Sequence, residues 1–116
     1  MQIIDNNFIV MFDIDETLVM HGKVTENSFE IQHPLNKGIY ILAPHTEHLR
    51  LMTSYKKQGY IIIVWTAQGH EWGNAIVSKL GINDMVDIVM SKPVKFVDDL
   101  NADGILGSRV YIPFKE

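Results

Sequence analysis

The sequence lacks cysteine altogether, has only four prolines among its 116 residues, and contains no long hydrophobic run. The absence of cysteine excludes disulfides, thiolate zinc sites and cysteine nucleophiles, and it agrees with a reducing compartment. No stretch approaches the roughly 18 apolar residues that a membrane span requires. Residues 1–7 also lack the basic region and cleavage site of a signal peptide. We therefore expect a cytoplasmic protein that does not enter a membrane.

The chain also has no surplus of basic residues, because its formal net charge is −4. Such a charge gives no general affinity for nucleic acid or for anionic membranes. Hydrophobic residues make up 47% and charged residues 21%, which is close to the composition of folded globular proteins. The length fits a single domain over residues 1–116.

Two continuous apolar runs that end at a polar residue are typical of central strands in a parallel sheet. The first run covers residues 8–12 and stops at Asp13, and the second covers residues 60–65 and stops at Thr66. The alternating pattern is completed by a helix after Pro44 and a second helix over residues 70–80, each of which is followed by a glycine. Further short strands are predicted over residues 86–90, 94–97 and 109–112.

This alternation predicts the α/β class, a three-layer Rossmann-like domain with a mainly parallel sheet. Residues 19–43 are irregular, with Gly22, Pro34 and Gly38 as breakers, and they predict a small flap or hairpin. Such a segment is too short for a large cap domain.

Polar groups are predicted to gather at the carboxyl ends of these strands, where parallel sheets bind ligands. The predicted strand ends carry Asp13, Thr66 and the pair Asp98 and Asp99. Crowded carboxylates repel one another, and a hard divalent cation with oxygen ligands removes that cost. Magnesium is the natural candidate for this edge of the sheet.

Asp13 and Asp15 alternate in the chain, so both are expected to face one phosphate as the strand opens into a loop. One carboxylate can attack phosphorus, and the other can protonate the leaving oxygen and later activate water. Positive or hydrogen-bonding partners for the phosphate would be Mg²⁺, Lys92, the Thr66 hydroxyl and loop amides.

These residues resemble the four motifs of the haloacid dehalogenase superfamily of phosphatases. The motifs are Asp-x-Asp-x-Thr at residues 13–17, Thr66, Lys92 and the pair Asp98-Asp99, and the match spans residues 8 to 99. The layout is similar to small capless proteins of this type that are common in phage genomes. The resemblance implies a Mg²⁺-dependent phosphomonoester hydrolase that acts through an aspartyl-phosphate.

The resemblance also implies a role for each matching residue. Asp13 would be the nucleophile and Asp15 the general acid/base, while Thr66 and Lys92 would hold the phosphoryl group. Metal ligands would come from Asp13, the Asp15 main-chain carbonyl, Asp98 and Asp99. Substrate contacts are expected from the loops after the first two strands, at Thr17, Ala67, Gln68 and His70.

Two departures from the usual motifs stand out. Glu16 replaces the glycine found in many members, although the same Asp-x-Asp-Glu-Thr-Leu-Val string occurs in phosphatases that act on the RNA polymerase C-terminal tail. The lysine stands only six residues before Asp98, so Lys92 and Lys95 are both candidates. Lys92 is favoured because it lies in a loop before Pro93, whereas Lys95 falls inside a predicted strand.

Structural roles compete with several of these interpretations. Asp13 could simply end a strand, and Thr66 could cap the following turn. His45 and His48 stand at i, i+3, but without a third ligand nearby a solvated helix face is the favoured interpretation. Trp72 is expected to pack in the core rather than stack on substrate.

The leading functional hypothesis is hydrolysis of a phosphate monoester in an open cleft. An open cleft suits a nucleic-acid end or a phosphoprotein, and a nucleotide would fit if a homo-oligomer supplied the missing wall. The alternative is a non-catalytic phosphate- or partner-binding module. A response-regulator-like phosphoacceptor is disfavoured because its acidic residues come in the opposite order. Phosphotransfer in place of hydrolysis stays open.

Overall fold

A computed structural model describes residues 8–115. Residues 1–7, where the sequence predicts no signal peptide, and residue 116 lie outside the described part of the chain. The elements are β1 (Ile9–Asp13), β2 (Val19–His21), β3 (Phe29–Gln32), β4 (Ile39–Pro44), α1 (Thr46–Lys57), β5 (Ile61–Thr66), α2 (His70–Leu80), β6 (Ile88–Ser91) and α3 (Ala102–Ile105).

The central element is a parallel sheet with the strand order β1-β5-β6. Its register pairs Asp13 with Trp65 and Thr66 with Ser91, so the polar ends of the three strands lie at one edge. β5 supplies the buried centre, as its run of apolar residues predicted. The α/β class and the mainly parallel sheet are thus confirmed, and no large cap domain is present within residues 8–115.

Helix α2 packs closely against this sheet. A Cβ atom added at Gly73 would lie 2.7 Å from Val89 Cγ1, so glycine permits a close approach of the helix to β6. Gly81 ends the helix in the left-handed conformation, with φ of 70°, as a C-terminal glycine commonly does. No helix in the described residues is long and apolar enough to cross a membrane.

The segment predicted as a flap forms a second, antiparallel sheet with the order β2-β4-β3. β2 follows the β1 loop directly, and β4 leads into α1. Leu42 and Val19 of this sheet are fully buried in the common core, so the flap rests on the same hydrophobic centre as the parallel sheet. That core also contains Ile14, Leu18, Met52, Ile62, Val64, Trp72 and Ile76.

The strands predicted over residues 94–97 and 109–112 do not form, and Lys95 therefore lies in no strand. Val94 and Val97 have 95% and 103% of their surface exposed. A strand is stabilised by its neighbours rather than by composition alone, and here the apolar residues have no partner strand. As a result Asp98 and Asp99 do not stand at the end of a strand.

The prediction that His45 and His48 lie on a solvated helix face was wrong. Both side chains are 1% exposed, and their rings stack with centroids 3.7 Å apart. His45 Nε2 lies 2.7 Å from the Ile112 carbonyl, and the Ile112 N–H donates to His48 Nε2 at 2.8 Å. The C-terminal segment covers these histidines, and Ile112 is 67 and 64 residues away from them in sequence.

Candidate active site

Asp13 ends β1 with both carboxylate oxygens in contact with polar partners. Lys92 Nζ lies 3.3 Å from Asp13 Oδ1, and the Thr17 hydroxyl donates to Asp13 Oδ2 at 3.2 Å. About a third of the Asp13 side chain is accessible, at 33%. The carboxylate is therefore held by an ammonium and a hydroxyl while it still faces the solvent.

The sheet itself positions Lys92. Its backbone N–H donates to the Thr66 carbonyl at 2.9 Å directly after β6, and its Nζ lies 5.5 Å from the centre of the Trp65 ring. Lys95 is exposed. Of the two lysines left open by the sequence, Lys92 is the one whose ammonium contacts Asp13.

A tight loop follows β1 and carries the second aspartate. The Ile14 carbonyl accepts N–H groups from Thr17, Leu18 and Val19 within 3.1 Å. Glu16 has φ of 65°, in the left-handed region that favours glycine. This conformation explains in physical terms why glycine would suit the position, and a non-glycine residue there stores backbone strain beside the candidate site.

Asp15 is bound by two side chains from outside its loop. His21 Nε2 lies 2.7 Å from Asp15 Oδ1, and the Trp72 indole N–H donates to the same oxygen at 3.1 Å. His21 comes from β2 of the flap, and Trp72 comes from α2. Trp72 is buried, as its packing role predicted, but it also makes this polar contact.

The residues after β5 lie around the same edge. The buried Thr66 hydroxyl accepts the Gln68 N–H at 3.0 Å, which is the turn-capping role considered as an alternative. Ala67, Gln68 and His70 are exposed. His70 begins α2, and its backbone N–H donates to Ser91 Oγ at 2.9 Å. The structure thus surrounds Thr66 with accessible groups, and their roles toward a substrate stay predictions.

Asp98 and Asp99 form no metal-binding group with the other carboxylates among the described residues. The Asp98 carboxylate accepts the Leu100 N–H at 2.9 Å, and this bond, followed by one with the Asp99 side chain, lowers the pKa of Asp98. Across residues 8–115 no group of three or more histidine, aspartate or glutamate side chains is placed to hold a metal ion. The expected Mg²⁺ ligand set does not fit the observed arrangement, so no chemical step is derived through the metal.

A small cleft lies between the flap and α2, beside the Asp15 carboxylate. Its volume is about 140 Å³, and its remaining lining residues are His21, His33, Tyr40, Gln68 and Trp72. The His33 ring stacks on Trp72 at 4.7 Å with an angle of 8° between the planes. The sequence pattern does not identify His21, His33 or Tyr40 as residues of the site, because the flap strands are too short to show which side chains face it.

Comparison with known families gives one result. The profile of the NLI interacting factor-like phosphatases, a haloacid dehalogenase-like family, matches residues 8–98. The chain belongs to this family of phosphatases. The resemblance to the haloacid dehalogenase superfamily is thereby confirmed, and a phosphatase family implies a phosphorylated substrate. Comparisons with curated proteins and with solved structures gave no significant match.

Proposed function

We propose that this phosphatase-family protein hydrolyses phosphate monoesters through an aspartyl-phosphate on Asp13. The contact of Lys92 and Thr17 with the two Asp13 oxygens carries the proposal. The Lys92 ammonium offsets the repulsion between a carboxylate nucleophile and an anionic phosphate, and it lies close enough to remain on the phosphoryl oxygens after transfer.

Asp15 is proposed as the general acid and base of the reaction. An Asp13 oxygen forms the bond to phosphorus while the ester P–O bond breaks, and Asp15 gives its proton to the leaving oxygen. Asp15 then takes a proton from the water that attacks the aspartyl-phosphate, which regenerates Asp13 and releases phosphate. Thr66, the amides after it and the Thr17 hydroxyl would hold the remaining phosphoryl oxygens.

Dependence on Mg²⁺ is part of this proposal, on the strength of the family resemblance. The metal would neutralise charge on the transferring phosphoryl group when bound. The ligands that the resemblance implies are Asp13, the Asp15 carbonyl, Asp98 and Asp99, and within residues 8–115 their carboxylates do not form a metal-binding group. We also propose that residues 1–116 form a single domain. Phage origin and a cytoplasmic location stay predictions from the sequence.

The test is the hydrolysis of 4-nitrophenyl phosphate by wild type, Asp13→Asn and Asp15→Asn, each with Mg²⁺ or with EDTA. Asp13→Asn is expected to abolish turnover. Asp15→Asn is expected to lower kcat by about 10² to 10⁴, because the base that activates water for hydrolysis of the aspartyl-phosphate is lost. Asp84→Asn, at an exposed turn after α2, is the matched control and should behave as wild type. Full activity of folded Asp13→Asn would refute the nucleophile assignment, and full activity in EDTA would refute the metal requirement.

A non-catalytic phosphate- or partner-binding module is the second candidate, favoured by the lack of a metal-binding group of carboxylates within residues 8–115. The two candidates differ in the fate of the substrate. Wild type that binds phosphorylated peptides, nucleotides or nucleic-acid ends without releasing phosphate would support the module. Release from one of these three classes would identify the substrate class of the hydrolase.

A further inference from the structure

The two hydrogen bonds from outside the loop to the Asp15 carboxylate end on the same oxygen. His21 Nε2 lies 2.7 Å from Oδ1 and the Trp72 indole nitrogen lies 3.1 Å from it. The indole N–H only donates, and an ionised carboxylate only accepts, so the His21 ring also presents an N–H to Oδ1 while Asp15 is ionised. As long as Oδ1 keeps both bonds, a proton that Asp15 takes up resides on Oδ2.

Packing fixes the orientation of both donors. Trp72 is 1% exposed and is stacked on His33, while the Tyr40 ring meets it edge-on at 5.7 Å. The His21 ring meets Tyr40 edge-on at 5.9 Å, and the His21 backbone N–H donates to Glu16 Oε1 at 3.1 Å. Side chains locked in this way hold a carboxyl group in one orientation before substrate binds.

We propose that His21 and Trp72 are positioning residues that orient Asp15 for proton donation to the leaving group. The inference rests on the proposed function. As an Asp13 oxygen bonds to phosphorus and the ester P–O bond breaks, its electron pair passes to the leaving oxygen. The proton on Asp15 Oδ2 moves to that oxygen. Through His21, the flap thus controls the acid step of the reaction.

The consequence is selectivity between leaving groups. An aryl leaving group such as 4-nitrophenolate departs without a proton, whereas an alkoxide needs one as the bond breaks. A loss of Asp15 orientation therefore lowers kcat/KM, which covers the steps up to the aspartyl-phosphate, for alkyl esters and leaves it nearly unchanged for activated aryl esters. A merely structural defect in the flap would slow both classes alike.

The test compares kcat/KM for 4-nitrophenyl phosphate and 4-nitrobenzyl phosphate, which share a ring but differ in their need for a proton. His21→Phe keeps the ring beside Tyr40 and removes the donor. Its kcat/KM for the benzyl ester should fall about tenfold or more, with a change of less than about threefold for the phenyl ester. His21→Gln, which offers an amide N–H in place of Nε2, should restore part of the loss.

Ser28→Ala is the matched control, because the Ser28 hydroxyl accepts the Thr25 N–H at 2.7 Å within the flap and lies outside the Asp15 contacts. It should leave the ratio of the two kcat/KM values unchanged. Trp72→Phe provides a second measurement of the same ratio if His21→Phe does not fold. An equal loss on both esters in folded variants would overturn the inference.

Failure of this inference and failure of the proposed function give different results. If wild type is active and Asp13→Asn is inactive, an unchanged ratio of the two kcat/KM values in His21→Phe would refute only the positioning role. If wild type hydrolyses no ester, or if Asp13→Asn keeps full activity, both the proposed function and the positioning role are refuted.

Discussion

Replacement of His48 by phenylalanine is expected to destabilise the fold strongly and to reduce its dependence on pH. His48 Nδ1 lies 2.7 Å from the Thr17 carbonyl, which only accepts, so Nδ1 carries the proton. Nε2 is then free to accept the Ile112 N–H at 2.8 Å. Phenylalanine preserves a ring stacked on His45 but offers neither contact.

The size of the effect follows from the two partners left without a hydrogen bond. A buried polar group that loses its partner costs about 1–3 kcal/mol. Thr17 and Ile112 each lose one bond, so the free energy of unfolding should fall by roughly 2–6 kcal/mol. Because small domains are stable by only about 5–15 kcal/mol, this loss is large.

The pH dependence has a definite sign. Burial is the main cause that lowers the pKa of His48, and the adjacent His45 ring lowers it further, while the bond to the Thr17 carbonyl opposes them. Since the folded state disfavours the protonated ring, the unfolded chain binds a proton first as the pH falls below about 6.5. The stabilisation is complete above that pH and is lost as the pH falls through the folded pKa.

Urea unfolding followed by tryptophan fluorescence at about pH 8 and about pH 5 measures both effects. His70→Phe is the control, because His70 lies at the start of α2, away from the His48 contacts. Equal unfolding free energies of wild type and His48→Phe at the higher pH would refute the hydrogen-bond reasoning. A pH slope that is unchanged in His48→Phe would refute the assignment of His48 as the titrating group.

Two further predictions concern the sheet edge and the packing of α2. Lys92→Met should lower kcat by about tenfold or more, because the ammonium beside Asp13 is lost, whereas Lys95→Met should stay within about twofold of wild type in the same phosphatase assay. Gly73→Ala should lower the free energy of unfolding by about 1–3 kcal/mol, because its Cβ would meet Val89 at 2.7 Å. Equal effects of the two lysine variants, or a Gly73→Ala variant as stable as wild type, would contradict these assignments.

The strands of the parallel sheet and the long helices follow from local signals in the sequence. β5 is the buried central strand that a continuous apolar run predicts. The run over residues 8–12 also forms a strand, but β1 lies at the edge of the sheet and is only partly buried, so the prediction of a buried central strand there was wrong. The glycine at 81 ends α2 because the position requires a left-handed conformation. These signals lie within a few residues of the elements that they predict, so a single sequence is enough to find them.

The other parts of the fold depend on contacts between residues far apart in the sequence, and a single sequence does not show these contacts. The apolar pattern at residues 94–97 resembles that of a strand, but a strand also needs a neighbour, which the sequence does not reveal. His45 and His48 are buried because Ile112 meets them from the distant end of the chain. Polar spacing on a helix does not show what will later cover it.

Some contacts of the candidate site could likewise be predicted from the sequence, and others could not. Asp13 and Lys92 could be predicted, because their strands end at one edge of a parallel sheet. The expected partnership of Asp13 with Asp98 depended on a strand that does not form. His21 contacts Asp15 from the flap, and the spacing of the two residues in the sequence does not predict that contact.

The two aspartates stand only two residues apart, yet they depend on different parts of the fold. Asp13 takes its ammonium from the loop after β6, and Asp15 takes its imidazole from the antiparallel flap sheet. Folded proteins open locally in separate cooperative units, and the flap sheet and the parallel sheet are separate hydrogen-bonded units. A transient opening of the flap would therefore remove the oriented acid at Asp15 while the nucleophile stayed in place.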